Sequence, residues 1–193
     1  LRSVGIRTAR DGVRWHLVER SPRKYDYSSV IGMLRAANSN EVQVIWDLCH
    51  YGWPDDIDIF KPAFVDRFAA FARSFARVVV SESDDAPYFA PVNEISFFSW
   101  AAGEEGILNP FQLGRGDELK AQLVRAKIAA IDAIRSVHGG ARIVQADPVV
   151  NIVTDSTMPF QEVARAEAHS KAVYDAWDMV AGRYLPELGG SEE

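Results

Sequence analysis

The spacing of hydrophobic positions changes repeatedly along the chain, from short continuous runs to intervals of three and four and back again. Residues 5–10 (Gly5-Ile6-Arg7-Thr8-Ala9-Arg10), followed by Asp11-Gly12, predict a short strand that ends at a turn. Over 28–38, Val30, Ile31, Leu34 and Ala37 share one helical face. Residues 41–48 are nearly apolar through their middle and predict the next strand. Pro62 suits the first turn of a helix to about Val80, with Phe64, Phe68, Phe71 and Phe75 three to four apart. A short strand over 87–92 leads to Asn93-Glu94. The stretch from Ser96 to Gly116 reads as a long polar connection. Residues 117–138 predict a helix on Leu119, Leu123, Ala126, Ala130 and Ile134, stopped by Gly139-Gly140. Residues 141–146 form a strand leaving at Asp147-Pro148. A last helix is predicted from Phe160 to about Tyr184, with Pro186 and Gly189-Gly190 ending it.

The order is β-α-β-α-β-α-β-α, which places the chain in the α/β class with a parallel sheet and helical crossovers. No low-complexity linker or composition break interrupts it, so 1–193 reads as a single domain. An open doubly wound sheet and a (β/α)8 barrel compete. No strand is followed by a dinucleotide-binding glycine fingerprint or a phosphate-binding lysine loop. Polar and aromatic residues instead crowd after every strand, where a barrel keeps its chemistry. A complete barrel takes about 250 residues, so four β/α units make a partial (β/α)8 TIM barrel.

Composition narrows the partners. The 193 residues are 48% hydrophobic and 25% charged, enough apolar surface to offset ordering entropy. A net charge of -6 argues against a protein that neutralises nucleic-acid phosphates. No run approaches the length of a membrane span. The single cysteine, Cys49, cannot form an intramolecular disulfide, and a cytoplasmic setting is expected. The chain opens at Leu1 without a leader sequence, and its first residues read as a helix running into a strand, so further residues are expected upstream.

Four clusters fall after the strands: Arg10, Asp11, Arg14 and Trp15; Trp46, Asp47, His50, Tyr51, Trp53 and Pro54; Asn93, Glu94, Phe97 and Trp100; Asp147 and Asn151. In a parallel barrel they share one rim. Aromatic rings beside carboxylates, amides and imidazole suit a sugar ring, which has apolar C–H faces and a girdle of hydroxyls. Asn93-Glu94 is the sharpest feature. A glutamate at a strand end can serve as a general acid, and an adjacent amide can donate to a substrate hydroxyl.

Together these motifs resemble glycoside hydrolase family 1, the β-glucosidase-like branch of the clan A retaining enzymes. Arg10 is followed five residues later by Trp15, His50-Tyr51-Gly52-Trp53-Pro54 stands where the family has His-Trp-x-x-Pro, and Asn93-Glu94 matches its Asn-Glu. Ala176-Trp177-Asp178-Met179 is similar to the helix preceding the family's sixth strand. The match runs from about Gly5 to Gly189, with Tyr51 replacing the usual Trp, as a divergent branch. It implies strands two to five of the barrel, with the first strand and strands six to eight absent. It also implies Glu94 as acid/base, Asn93 on the sugar 2-hydroxyl, His50 on another hydroxyl, and Arg10 orienting the nucleophile. Trp15, Trp53 and Trp100 are candidates for lining sugar subsites. The family's nucleophile lies in a Glu-Asn-Gly-like stretch after the seventh strand, and no such stretch occurs here. Glu162 and Glu167 fall on the last helix, and Glu187, Glu192 and Glu193 in its tail. The chain therefore reads as the acid/base half of a retaining β-glycosidase for a small glycoside or oligosaccharide, inactive by itself and needing no cofactor. Neither nucleic acid nor membrane is an expected partner.

Plainer readings accompany these. Arg10 can pair with Asp11 or Asp47, Cys49 reads as a small buried hydrophobe, and the Phe stripe and Trp177 read as core. His16, His138 and His169 have no partners at ligand spacing. Asp55, Asp56 and Asp58 read as a solvated loop. Two other functions stay open: a divalent-metal isomerase or lyase using Asp47, Glu94, Asp147 and His50, and a non-catalytic carbohydrate-binding barrel lacking its nucleophile.

Overall fold

The computed structural model describes residues 1–83 and 85–183. Tyr184, Pro186, Glu187, Gly189, Gly190, Glu192 and Glu193, on which some of the sequence expectations fall, lie outside the described residues. In chain order the elements are β1 (Thr8–Gly12), α1 (Trp15–Val18), β2 (Glu19–Ser21), β3 (Lys24–Tyr25), α2 (Ser28–Ser39), β4 (Gln43–Cys49), α3 (Pro62–Glu82) and β5 (Tyr88–Val92). They continue with α4 (Ile95–Ser99), α5 (Gly116–Arg135), β6 (Arg142–Ile143), α6 (Phe160–Ala172) and α7 (Asp175–Val180). The chain divides into two compact units. The first holds Leu1–Asn93 with Arg125–Ala146, and the second holds Glu94–Val124 with the described residues from Asp147 onward.

In the first unit the principal sheet has the order β1-β4-β5-β6, every pairing parallel. The order follows the chain without the reversal that marks a doubly wound sheet, which favours a barrel segment. Side-chain alternation separates the two faces of this sheet. Trp46 and Phe89 stand side by side in register, and both meet Phe75 of α3, at ring-centroid distances of 5.4 and 6.4 Å. The helix-covered face is therefore theirs. Asp47 and Ala90, the next registered pair, point the other way, as do Ile45 and Arg10.

The Phe64, Phe68, Phe71 and Phe75 stripe is core, as its spacing predicts, with all four rings fully buried. Trp15 lies flat on Phe71, with centroids 5.3 Å apart and an interplanar angle of 9°. The antiparallel pair β2–β3 has no counterpart in the hydrophobic pattern, because residues 19–25 are mostly charged or polar. It is organised by the buried Glu19 carboxylate, which accepts from the Trp15 indole, the Arg67 guanidinium and the Arg23 backbone N–H. The strand expected over 141–146 shortens to Arg142–Ile143.

In the second unit, the first part of the polar connection expected after Ser96 is helical. Helix α4 continues into a π-helical turn over Trp100–Glu104. Ile95, Phe98, Ala101 and Ala102 are fully buried, an apolar spacing of three and four among the polar residues. Gly103 permits a close approach here, since a Cβ would lie 2.9 Å from the Arg115 carbonyl oxygen. The predicted last helix is two helices, α6 and α7. At the break, carbonyls turn to side chains: Ala172 accepts from Lys120 Nζ at 3.3 Å, and Val173 from Ser96 Oγ at 3.0 Å. Lys120 also pairs with Asp175 at 3.1 Å.

Candidate active site

Three of the sequence-predicted residues, Arg10, His50 and Asn93, meet at the C-terminal ends of neighbouring strands. Gly12 sits opposite Asp47 in the β1–β4 register. Arg10, two residues earlier on the same face, reaches diagonally to place Nη2 at 2.6 Å from Asp47 Oδ2. The same guanidinium donates to the Asn93 side-chain oxygen. Asp47 Oδ2 also lies 2.8 Å from His50 Nδ1. The Asn93 amide donates to Tyr51 Oη at 2.8 Å, and its nitrogen lies 3.4 Å from His50 Nε2. The Asn93 backbone N–H donates to the Cys49 carbonyl at 3.0 Å, carrying the β4–β5 ladder one step further.

Access to these groups differs. The His50 side chain is 55% exposed and that of Arg10 33%, whereas Asp47 is 3% and Asn93 1% exposed. The surface offered to a ligand is thus His50, Arg10 and the half-buried Tyr51, with Asn93 beneath them. Tyr51 takes a left-handed backbone conformation, φ 67°, to bring its phenol there. The sequence placed Asp47 and Tyr51 at the strand end without assigning them a sugar contact. The available signal was a carboxylate inside an otherwise apolar strand three residues before a histidine.

Glu94, the residue after Asn93, is half-buried and opens the second unit. It holds φ 45° and ψ 62°, and its carbonyl accepts the Phe98 N–H at 2.8 Å as α4 begins. A non-glycine residue in this region costs about 1–2 kcal/mol, and such costs concentrate at functional sites. Asp147 accepts the Ser96 N–H at 2.8 Å. Trp100 is half-buried, 5.9 Å from Phe97, and lines a cavity of about 240 Å³ with Ser96, Glu104, Lys120 and His169.

Two tryptophans correct the sequence reading. Trp15 is 0% exposed and clasped by Phe64, Phe68 and Phe71, so it is a core residue and lines no sugar subsite. Trp53 is 6% exposed, its ring edge-on to Phe64 and its indole donating to the Ile57 carbonyl at 3.2 Å, so it too is committed inward. Their place in the motif reflects packing beneath the rim.

Of the remaining candidates, Cys49 and the acidic loop take the plainer roles, whereas Trp177, read as core, is 37% exposed. Burial pushes the Cys49 thiol up to about 12, far from nucleophilic character at neutral pH. Arg67 holds Asp56 through two 2.9 Å bonds, which keeps that carboxyl below its usual range, and Asp58 accepts the Phe60 N–H. Among the described residues no three His, Cys, Asp or Glu side chains gather as a metal-holding set. The cation on Asp47 is the Arg10 guanidinium.

No family model matches the chain, and the search of curated proteins gave no match. Solved structures are similar. The AHE enzyme from Alicyclobacillus herbarius superposes with a TM-score of 0.80 at 19% identity, over 96% of this chain and 43% of that one. The virulence factor SghA from Agrobacterium tumefaciens gives 0.80 at 16% identity, over 96% of this chain and 43% of its own. The family 1 β-glucosidase from Thermotoga maritima gives 0.72 at 11%, over 86% of this chain and 38% of its own. The fold is therefore that of part of a (β/α)8 barrel, of the kind these structures share. The chain spans about two fifths of the length of these neighbours.

Proposed function

We propose that this chain is one incomplete catalytic barrel, the acid/base half of a retaining β-glycosidase that hydrolyses a small glycoside or oligosaccharide. The observation that carries the reading is the hydrogen-bonded set Arg10–Asp47–His50–Asn93–Tyr51 at the strand ends, joined in sequence to Glu94. A sugar ring needs paired donors and acceptors for its hydroxyls, and this set offers an imidazole, a guanidinium and a phenol side by side. SghA has been solved with its substrate analog salicin and the Thermotoga maritima enzyme with deoxynojirimycin, which supports a glycoside as ligand class.

In this mechanism Glu94 gives its proton to the glycosidic oxygen as the bond to the anomeric carbon breaks. A second carboxylate, about 5–5.5 Å from the first, attacks that carbon from the opposite face and forms a glycosyl-enzyme. Glu94, now a carboxylate, takes a proton from water, and the resulting hydroxide attack releases the sugar with its configuration retained. The chain has no Glu-Asn-Gly-like stretch for the second carboxylate. The nucleophile, the first strand and strands six to eight therefore belong to the complete protein, and the isolated chain does not turn over. The cytoplasm is the proposed location.

The test is the stereochemistry of hydrolysis. The complete protein is mixed with an aryl β-glycoside and the first-formed sugar is followed by proton NMR. The β anomer is the expected initial product. Initial appearance of the α anomer overturns the retaining assignment. Sugar binding with no turnover transfers the protein to the carbohydrate-binding reading.

A further inference from the structure

Asp47 is a carboxylate withdrawn from water, at 3% exposure, in the strand that leads to His50. Such a group persists only when charge and hydrogen bonds replace its solvent. Arg10 supplies the charge at 2.6 Å, and His50 Nδ1 supplies the second donor at 2.8 Å, both on Oδ2. An ionised carboxylate can only accept, so Nδ1 of the neutral ring carries the hydrogen and Nε2 is left as an acceptor. The Asn93 amide is oriented by the same arrangement. Its oxygen faces Arg10, which turns its nitrogen toward Tyr51 Oη and the His50 Nε2 edge. One buried carboxylate thereby sets the donor and acceptor directions of the whole cluster.

We propose that Asp47 is the positioning residue of this site, locking His50 in the Nδ1–H tautomer so that Nε2 stays an acceptor, which a sugar hydroxyl takes up in place of the long 3.4 Å approach of the Asn93 amide. The hydroxyl as ligand rests on the glycosidase reading, while the tautomer does not. Asp47 touches no substrate in this scheme. It acts through the ring of His50 and through Arg10, as the outer partner of an imidazole does in metal and triad sites.

The experiment is long-range proton–nitrogen NMR on the complete protein labelled with ¹⁵N-histidine at about pH 8, where imidazole is neutral. His50 is assigned among its histidines by the loss of its signals in His50→Gln. The expected wild-type result is a protonated Nδ1 and a bare Nε2. In the double variant Asp47→Leu/Arg10→Met, which removes both buried charges together, the ring is expected to shift to the Nε2–H form that imidazole prefers in water. In the complete protein, Asp47→Leu/Arg10→Met is expected to lower kcat/KM for a β-glycoside about 10- to 100-fold or more. A wild-type Nε2–H tautomer overturns the proposal without recourse to any variant, and so does a tautomer unchanged in the double variant. Absence of glycoside turnover with the expected tautomers overturns the choice of ligand and leaves the role of Asp47 toward His50 standing.

Discussion

Arg10 and Asp47 form an ion pair across the β1–β4 pairing, Nη2 to Oδ2 at 2.6 Å, with the carboxylate nearly sealed from water. The pair is asymmetric. Asp47 depends on Arg10 for its compensation, whereas Arg10 keeps a third of its side chain in solvent. Removing the arginine leaves an uncompensated buried charge, which is more damaging than removing both members.

Arg10→Met is therefore expected to lower unfolding free energy by about 2–4 kcal/mol, and Asp47→Leu in the same chain to restore most of it. Urea denaturation at neutral pH measures both. Equal stability of the single and double variants contradicts this description of the pair.

Trp15 separates packing from recognition. It is fully enclosed by Phe64, Phe68 and Phe71. Trp15→Ala is expected to cost about 3–5 kcal/mol through the cavity it leaves. Trp15→Phe is expected to lower Tm by less, with sugar affinity unchanged by calorimetric titration. A loss of affinity in a Trp15→Phe protein of near-native Tm returns this residue to the binding surface.

Alkaline pH offers a test of burial. The Cys49 thiol and the Tyr25 phenol are both raised to about 12, chiefly by desolvation, and Tyr25 further by the charge of Glu19. In the unfolded chain these groups lose their protons near their ordinary values of 9 and 10. Between about 9 and 12 the native state binds more protons than the unfolded state, so stability falls as pH rises. Their contribution is fully present below about 9. Cys49→Ala together with Tyr25→Phe is expected to flatten the loss of Tm between pH 9 and pH 11. An unchanged slope shows that neither group is buried as described.

Metal dependence distinguishes the enzyme readings. On the proposed glycosidase reading, the complete protein dialysed against EDTA is expected to keep hydrolysing a β-glycoside, since two carboxylates carry the chemistry. Loss of activity with recovery on adding a divalent cation contradicts the two-carboxylate mechanism.

The parts legible in the sequence were those governed by local period. The Phe64–Phe75 stripe, the strand leading to Cys49, and the Asn93-Glu94 exit each declare themselves through spacing or a polar break. Helix α4 was obscured because its buried positions, Ile95 and Phe98, alternate with serines and a second phenylalanine in a segment rich in turn formers. The split between α6 and α7 was invisible because Ser96 and Lys120, far away in sequence, supply the hydrogen bonds that make it. Trp15 and Trp53 misled for a related reason. Residue type marks an aromatic as suited to stacking on a sugar, but the burial that decides its partner comes from α3. The Arg10–Asp47 pair stood among the plainer readings of the sequence, and the β1–β4 register decides for Asp47 over Asp11.

The central claim is that Glu94 is the proton donor to the departing glycosidic oxygen, and Glu94→Gln in the complete protein tests it most directly. Turnover is compared for aryl β-glycosides with good and poor leaving groups. The expected result is a loss of about 10²–10⁴-fold for poor leaving groups, which need the proton. Activated ones, which leave without it, are expected to retain their glycosylation rate. Undiminished turnover of the poor leaving group contradicts the assignment of Glu94.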